Sequence, residues 1–161
     1  MTYILGIDPG ATGGICLLDD DERVVWAEKR EQFDETELAD FIALAKASGF
    51  LLYAFLERAQ SFPKMGVVGA FKYGEGYGFW QGLLTANGIG FETVPPLTWQ
   101  RALGVTKKHK EITQSQHKKN LVAEARSRWP SLPKHSGVCD AALIALYGSR
   151  LRNAGKERMK P

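Results

Sequence analysis

The stretch Tyr3-Ile4-Leu5-Gly6-Ile7-Asp8-Pro9-Gly10 is a short aliphatic and β-branched run that ends on an acid and then turns. Its apolar residues predict a strand, and Pro9-Gly10 with Gly13-Gly14 predicts a tight turn after it. Working outward, Gly14–Leu18 reads as a second strand, Asp19–Glu22 as an acidic turn and Arg23–Ala27 as a third strand, together an antiparallel meander. From Glu35 to Ala47 the apolar residues Leu38, Phe41, Ile42 and Ala45 recur at helical spacing, and Gly49 is a stop signal. Phe50–Leu56 is a continuous apolar run closed by Glu57, the pattern of a fully buried parallel strand.

Beyond a loop at Ser61–Gly66, the glycine- and aromatic-rich segment Val67–Ala86 predicts a helix. Phe91–Val94 predicts a fifth strand, broken by Pro95-Pro96. Thr98 is expected to cap a short helix reaching Leu103. Ser115–Trp129 reads as a basic helix, Pro133–Gly137 as a loop, and Val138–Leu151 as a final amphipathic helix. A meander followed by strands in helix crossovers makes an α/β chain with a five-stranded mixed sheet flanked by helices.

The 161 residues suffice for one compact domain, expected over residues 1–152, with a basic flexible tail over 153–161. No apolar run has the length of a membrane span. Tyr3–Ile7 is too short for a secretory signal core, so a cytoplasmic protein is expected. Cys16 and Cys139 sit inside apolar patterns, as buried thiols of a reducing compartment do. Acids are dense from Asp19 to Asp40, and bases from Arg101 to Lys119 and from Arg150 to Lys160. That asymmetry suits nucleic acid, although on charge alone a solvated helix face and a frayed basic tail are the better reading.

Three acids stand out. Asp8 and Glu57 each close an apolar strand, where open α/β sheets place their ligands. Asp140 precedes Leu143, Ile144, Tyr147 and Leu151 at helical spacing, so it shares the buried face of its own helix. Like charges gathered in one place call for a cation, and Mg²⁺ or Mn²⁺ suits oxygen ligands. No soft-metal pattern competes, since the cysteines are far apart. His109 and His117 lie in a polar basic stretch and read as surface residues.

These residues resemble the RuvC-type Holliday-junction resolvases, of RNase H-like fold. Ile4-Leu5-Gly6-Ile7-Asp8-Pro9-Gly10 with Gly13-Gly14 resembles that family's first-strand motif. Leu56-Glu57-Arg58, then Phe62-Pro63-Lys64-Met65-Gly66, Phe71–Glu75 and Tyr77–Gly82, resembles the second block. Val94-Pro95-Pro96 with Trp99-Gln100 and Leu103-Gly104 is similar to the next, and Asp140–Ala145 with Tyr147-Gly148 to the last. The middle blocks are most similar to the resolvases of bacterial viruses and prophages, which would place the protein in a bacterial host's cytoplasm.

The resemblance implies a homodimeric endonuclease that cuts four-way and other branched DNA with two Mg²⁺ or Mn²⁺ ions per site. It implies that Asp8, Glu57 and Asp140 bind the metal, with Lys118 near the scissile phosphate and Lys119 on the backbone. Phe62, Met65 and Phe71 are expected near the junction centre, and Val67–Ala86 at the dimer interface. Many relatives have an Asp-Gly pair where this chain has Ser136-Gly137, preceded by His135. Either His135 takes the fourth metal-proximal role, or Ser136 marks a missing acid whose restoration should activate the enzyme; the second is preferred at this point. A ribonuclease acting on RNA–DNA hybrids, half of an actin-like ATPase, and a non-catalytic or impaired junction-binding module remain as alternatives.

Overall fold

The computed structural model describes residues 2–60, 65–107 and 112–158; Phe62 and His109 lie outside them, as do the last three residues of the expected tail. Five strands form one mixed sheet: β1 (Thr2–Asp8), β2 (Gly14–Leu18), β3 (Val24–Lys29), β4 (Leu51–Glu57) and β5 (Gly90–Val94). Their order is β3-β2-β1-β4-β5. The meander pairs antiparallel, whereas β4 joins β1 and β5 joins β4 in parallel, each after a helical crossover. The helices are α1 (Glu35–Ala47), α2 (Val67–Ala86), α3 (Pro96–Ala102), α4 (Gln114–Arg128) and α5 (Ser136–Arg158).

Strand alternation sorts the core into two layers. Leu5, Ile7, Ile15, Leu17, Ala54 and Leu56 face α1 and α2, where they meet Leu38, Ile42, Trp80 and Leu84. Ile4, Cys16, Leu18 and Phe55 face the opposite way, onto Trp99, Leu121 and the buried run Val138–Leu146 of α5. The apolar run of β4 therefore serves both layers, as expected of a covered parallel strand. Both cysteines are free and buried.

Several helix ends differ from the sequence reading. The α3 helix starts at Pro96 with Pro95 as its cap, so Thr98 lies inside it; proline at the first turn has its φ preset and no N–H to satisfy. Thr113, not Ser115, marks the start of α4, its side chain accepting from the Gln116 N–H. The α5 helix does not stop at Leu151 but runs to Arg158. No proline interrupts it, and the Arg152 guanidinium lies 3.9 Å above the Tyr53 ring, tying the extension back to β4. His117 is buried at 5% exposure rather than on the surface, because it shares the inward face of α4 with Leu121 and Ala125.

The helix α5 lies directly on β1. A Cβ on Gly6 would stand 2.0 Å from the Ala141 carbonyl oxygen and 2.6 Å from the Ala145 nitrogen, both backbone atoms. Gly6→Ala is therefore expected to cost about 3 kcal/mol, the upper part of the usual range for overpacking. Urea denaturation checks this; an unchanged midpoint would mean that α5 does not rest on β1 this closely.

Candidate active site

The alternation that sorts the core also aims the acids. Asp8 follows Ile4 and Gly6 on the α5 side of β1, and Glu57 follows Tyr53 and Phe55 on the same side of β4. The two strands are adjacent and in register, with Ile7 opposite Leu56, so both carboxylates leave the same edge of the sheet. The α5 helix brings the third acid. Gly13 and Gly137 form an isolated parallel bridge that pins its first turn to the β1–β2 turn, one helical turn before Asp140.

Asp8, Glu57 and Asp140 line one cavity of about 320 Å³, together with Tyr73, Trp99, Lys118 and others. Asp8 Oδ1 accepts from the Gly10 N–H at 3.1 Å. Glu57 Oε2 accepts from the indole N–H of buried Trp99 at 2.8 Å. Asp140 Oδ1 is buried and has no hydrogen-bond partner.

All three acids hold their protons more tightly than usual. Burial raises Asp8, against the Gly10 hydrogen bond and the charges of Lys118 and His135. Burial and then the Asp8 charge push Glu57 up to about 7, opposed by Trp99 and Lys118. Burial followed by the Asp8 and Glu57 charges lifts Asp140 well above the ordinary range. Burial and the same carboxylates keep the Tyr73 phenol protonated.

An unpartnered buried carboxylate oxygen among like charges is unfavourable without a counter-charge. The donors are oxygen only, which suits a hard divalent cation. Among the described residues no three His, Cys, Asp or Glu side chains converge closely enough as they stand to enclose an ion. The fit of the acids to a cation rests instead on the orphaned Asp140 oxygen and the mutual repulsion within one cavity.

The other expected residues separate. Lys118 enters the acid cavity. Lys119 and Ser136 line a neighbouring cleft with Lys118 and Lys134. His135 is near enough to act on the charge of Asp8, and its Nδ1 accepts from the Val138 N–H at 3.4 Å, capping α5. The cap that Ser136 would supply on the histidine account is thus filled by His135. Phe71 is 71% exposed on α2 and Met65 is half-buried before it; neither lines the acid cavity.

Sequence reasoning missed Trp99, Tyr73 and His117. Trp99 carried a signal, an indole one helical turn after Pro95-Pro96 and the close of β5. Tyr73 carried none.

Solved structures share this architecture. Thermus thermophilus RuvC in complex with a Holliday junction substrate matches with a TM-score of 0.63 and 18% identity, over 96% of this chain and 97% of that one. A second Thermus thermophilus RuvC structure matches with a TM-score of 0.64, at the same identity and coverage. The fold is RNase H-like. No protein-family model and no curated protein sequence matches the chain.

The raised carboxylates have a consequence for stability. A group whose folded pKa exceeds its unfolded value supports the fold below the unfolded value and loses that support as pH rises through the folded one. For Glu57 the loss runs from its ordinary 4.5 to about 7. Metal-free protein at pH 8 has therefore lost the support that a protonated Glu57 gives, and the burial of Asp140 among like charges remains a cost to the fold. Asp140→Asn is expected to melt higher than the unaltered protein there, by about 5 °C if ~2 kcal/mol of buried-charge cost is removed. It should also gain less from added Mn²⁺. Thermal melts in EDTA and in Mn²⁺ check this; a lower melting temperature in EDTA would contradict the cluster's repulsion.

Proposed function

We propose that this chain is a divalent-metal-dependent endonuclease that cuts branched DNA, four-way junctions above all. The observation that carries the reading is the cavity in which Asp8, Glu57 and the unpartnered Asp140 meet. Those three residues would hold Mg²⁺ or Mn²⁺, two ions per site, with Asp8 between the other two. The ions would supply an activated water and neutralise charge on the leaving oxygen. Trp99 holds one oxygen of Glu57 and so fixes the direction of the other. Lys118 brings a cation against the phosphate, and protonated Tyr73 adds a hydroxyl donor at the cavity wall. The shared fold with RuvC bound to a junction supports the substrate class, and the sequence blocks support a relative of the resolvases of bacterial viruses, working in the host cytoplasm. No helix of the described residues is long and apolar enough to cross a membrane.

Ser136 faces lysines rather than the acids, which weighs against the reading of a missing metal ligand and hence of an impaired or merely junction-binding protein. On this reading Ser136→Asp should weaken DNA binding rather than activate cleavage.

Symmetric cutting of a four-way junction needs two sites, and a two-fold homodimer supplies them. Trp80, Leu83 and Leu84 of α2 fill the protein's own core, so they are not the interface. The opposite side of α2 leaves Val67, Val68 and Phe71 exposed, and a Cβ at Gly74, Gly78 or Gly82 would meet nothing within 4 Å. These positions recur at helical spacing and form a flat apolar seam on which a second copy can pack. Gly78→Arg should leave the protomer folded and shift light scattering from dimer to monomer.

Asp8→Asn should abolish junction cleavage, at least a thousandfold, and leave junction binding within about threefold. Loss of one negative charge does not weaken attraction to phosphate. Gel-shift and cleavage assays on labelled four-way junctions check both halves. Near-normal cleavage by this variant would overturn the site.

A further inference from the structure

The acid cavity opens on two unlike flanks. On one side Lys118 and Gln114 lead into a cleft of about 640 Å³ walled by Lys119, Lys134 and Ser136. On the other, Gln60, Gln100 and Gln114 lead into a trough of about 480 Å³ that continues past Leu97 to Arg101 and Lys107. No acid among the described residues lines either flank. Among those residues the three lysines have no ion pair, and a lysine wall suits backbone phosphate. An amide wall has the chemistry of base edges, because a side-chain amide places a donor and an acceptor in one plane.

Gln100 differs from the other two glutamines in having its amide fixed. His117 is buried at 5% exposure, and its Nε2 lies 3.1 Å from Gln100 Oε1. Burial and the charge of Lys107 favour the neutral imidazole, whose Nε2–H donates to that oxygen. One lone pair of the Gln100 carbonyl oxygen is thereby engaged and its amide plane is set, which leaves the NH₂ with both hydrogens to donate. Leu97, 58% exposed on the same wall, offers an apolar surface for the face of a base.

We propose that Gln100, held by His117, reads a base next to the scissile phosphate and selects guanine or thymine by donating its amide N–H to the keto oxygen. Adenine and cytosine present an amino group where the reader needs an acceptor. The proposal rests on the nuclease reading above and names what that nuclease prefers.

The test maps cleavage positions on four-way junctions whose core sequence is randomised, in Mg²⁺. The unaltered protein should favour a keto base at one fixed position by about tenfold, the discrimination of one good base contact. Gln100→Glu keeps the bond from His117 and turns an acceptor to the trough, so the preference should reverse toward adenine or cytosine. Gln100→Leu keeps the bulk and should flatten it. Should the glutamate variant not cut, competition binding in EDTA between junctions that differ only at that base reads the same reversal. A preference that survives both substitutions unchanged, or a protein that cuts with no base preference, overturns the proposal alone. A protein that cuts no branched DNA overturns the nuclease reading instead.

Discussion

Gly13 and Gly137 touch backbone to backbone, and a Cβ on Gly137 would stand 2.4 Å from the Gly13 carbonyl carbon. On the other strand of the same turn, a Cβ on Gly14 would stand 2.5 Å from the backbone of Gly137 and Val138. Gly14 and Gly137 thus let the start of α5 lie against the β1–β2 turn at a distance no other residue permits, while a Cβ on Gly13 would meet the carbonyl oxygens of Asp8 and Gly10 within the turn itself. Asp8 sits just before that turn and Asp140 one turn into the helix. If α5 were lifted by the thickness of a methyl group, Asp140 would draw back from the cavity that it lines with Asp8 and Glu57. Gly6 continues the same close approach further along β1. The seat of α5 on the sheet is therefore the geometric condition of the site.

That seat also sets the electrostatic cost. The α5 layer is densely apolar, with every residue from Val138 to Leu146 except Asp140 buried and none of the others charged. A carboxylate in such a wall is poorly solvated, and two more carboxylates face it. Conformational rigidity elsewhere offsets the cost: the two apolar layers hold the strand ends in place, so the acids cannot relax apart. On the proposed reading, repulsion held in place in this way would give a divalent cation its purchase, because binding would remove desolvation cost and mutual repulsion together.

Much of this was legible in the sequence. The strands β1, β2 and β4 announce themselves as apolar runs, and the period of two puts Asp8 and Glu57 on one face once β1 and β4 are neighbours. The helical phase of Asp140 with Leu143 and Ile144 gave the third acid. What was not legible is contact between distant backbones. Gly13-Gly14 reads locally as turn chemistry, which holds for Gly13; Gly14 also admits α5, and nothing near it in sequence says so. Trp99 looks like a core residue, and it is one, but its indole N–H also finds Glu57 across 42 positions. His117 misled because its sequence neighbours are polar; tertiary packing, not the local run, decides which face of α4 turns inward.

The phase of α4 links these observations. His117, Leu121 and Ala125 form its inward stripe, and Lys118 lies one residue round from it, at the edge of the acid cavity. Rotating α4 by one residue would drive Lys118 into the core, where an unpaired ammonium is costly, and would carry His117 away from Gln100. A histidine at the inward position tolerates burial as a neutral ring with one hydrogen bond to Gln100, which a lysine cannot do. The same choice of residue that settles the helix's rotation thus brings the lysine to the acids, exposes Lys119 to the basic cleft, and fixes the amide on the opposite wall. Helix packing, the placing of Lys118 at the acids and the hold on Gln100 are consequences of one burial preference.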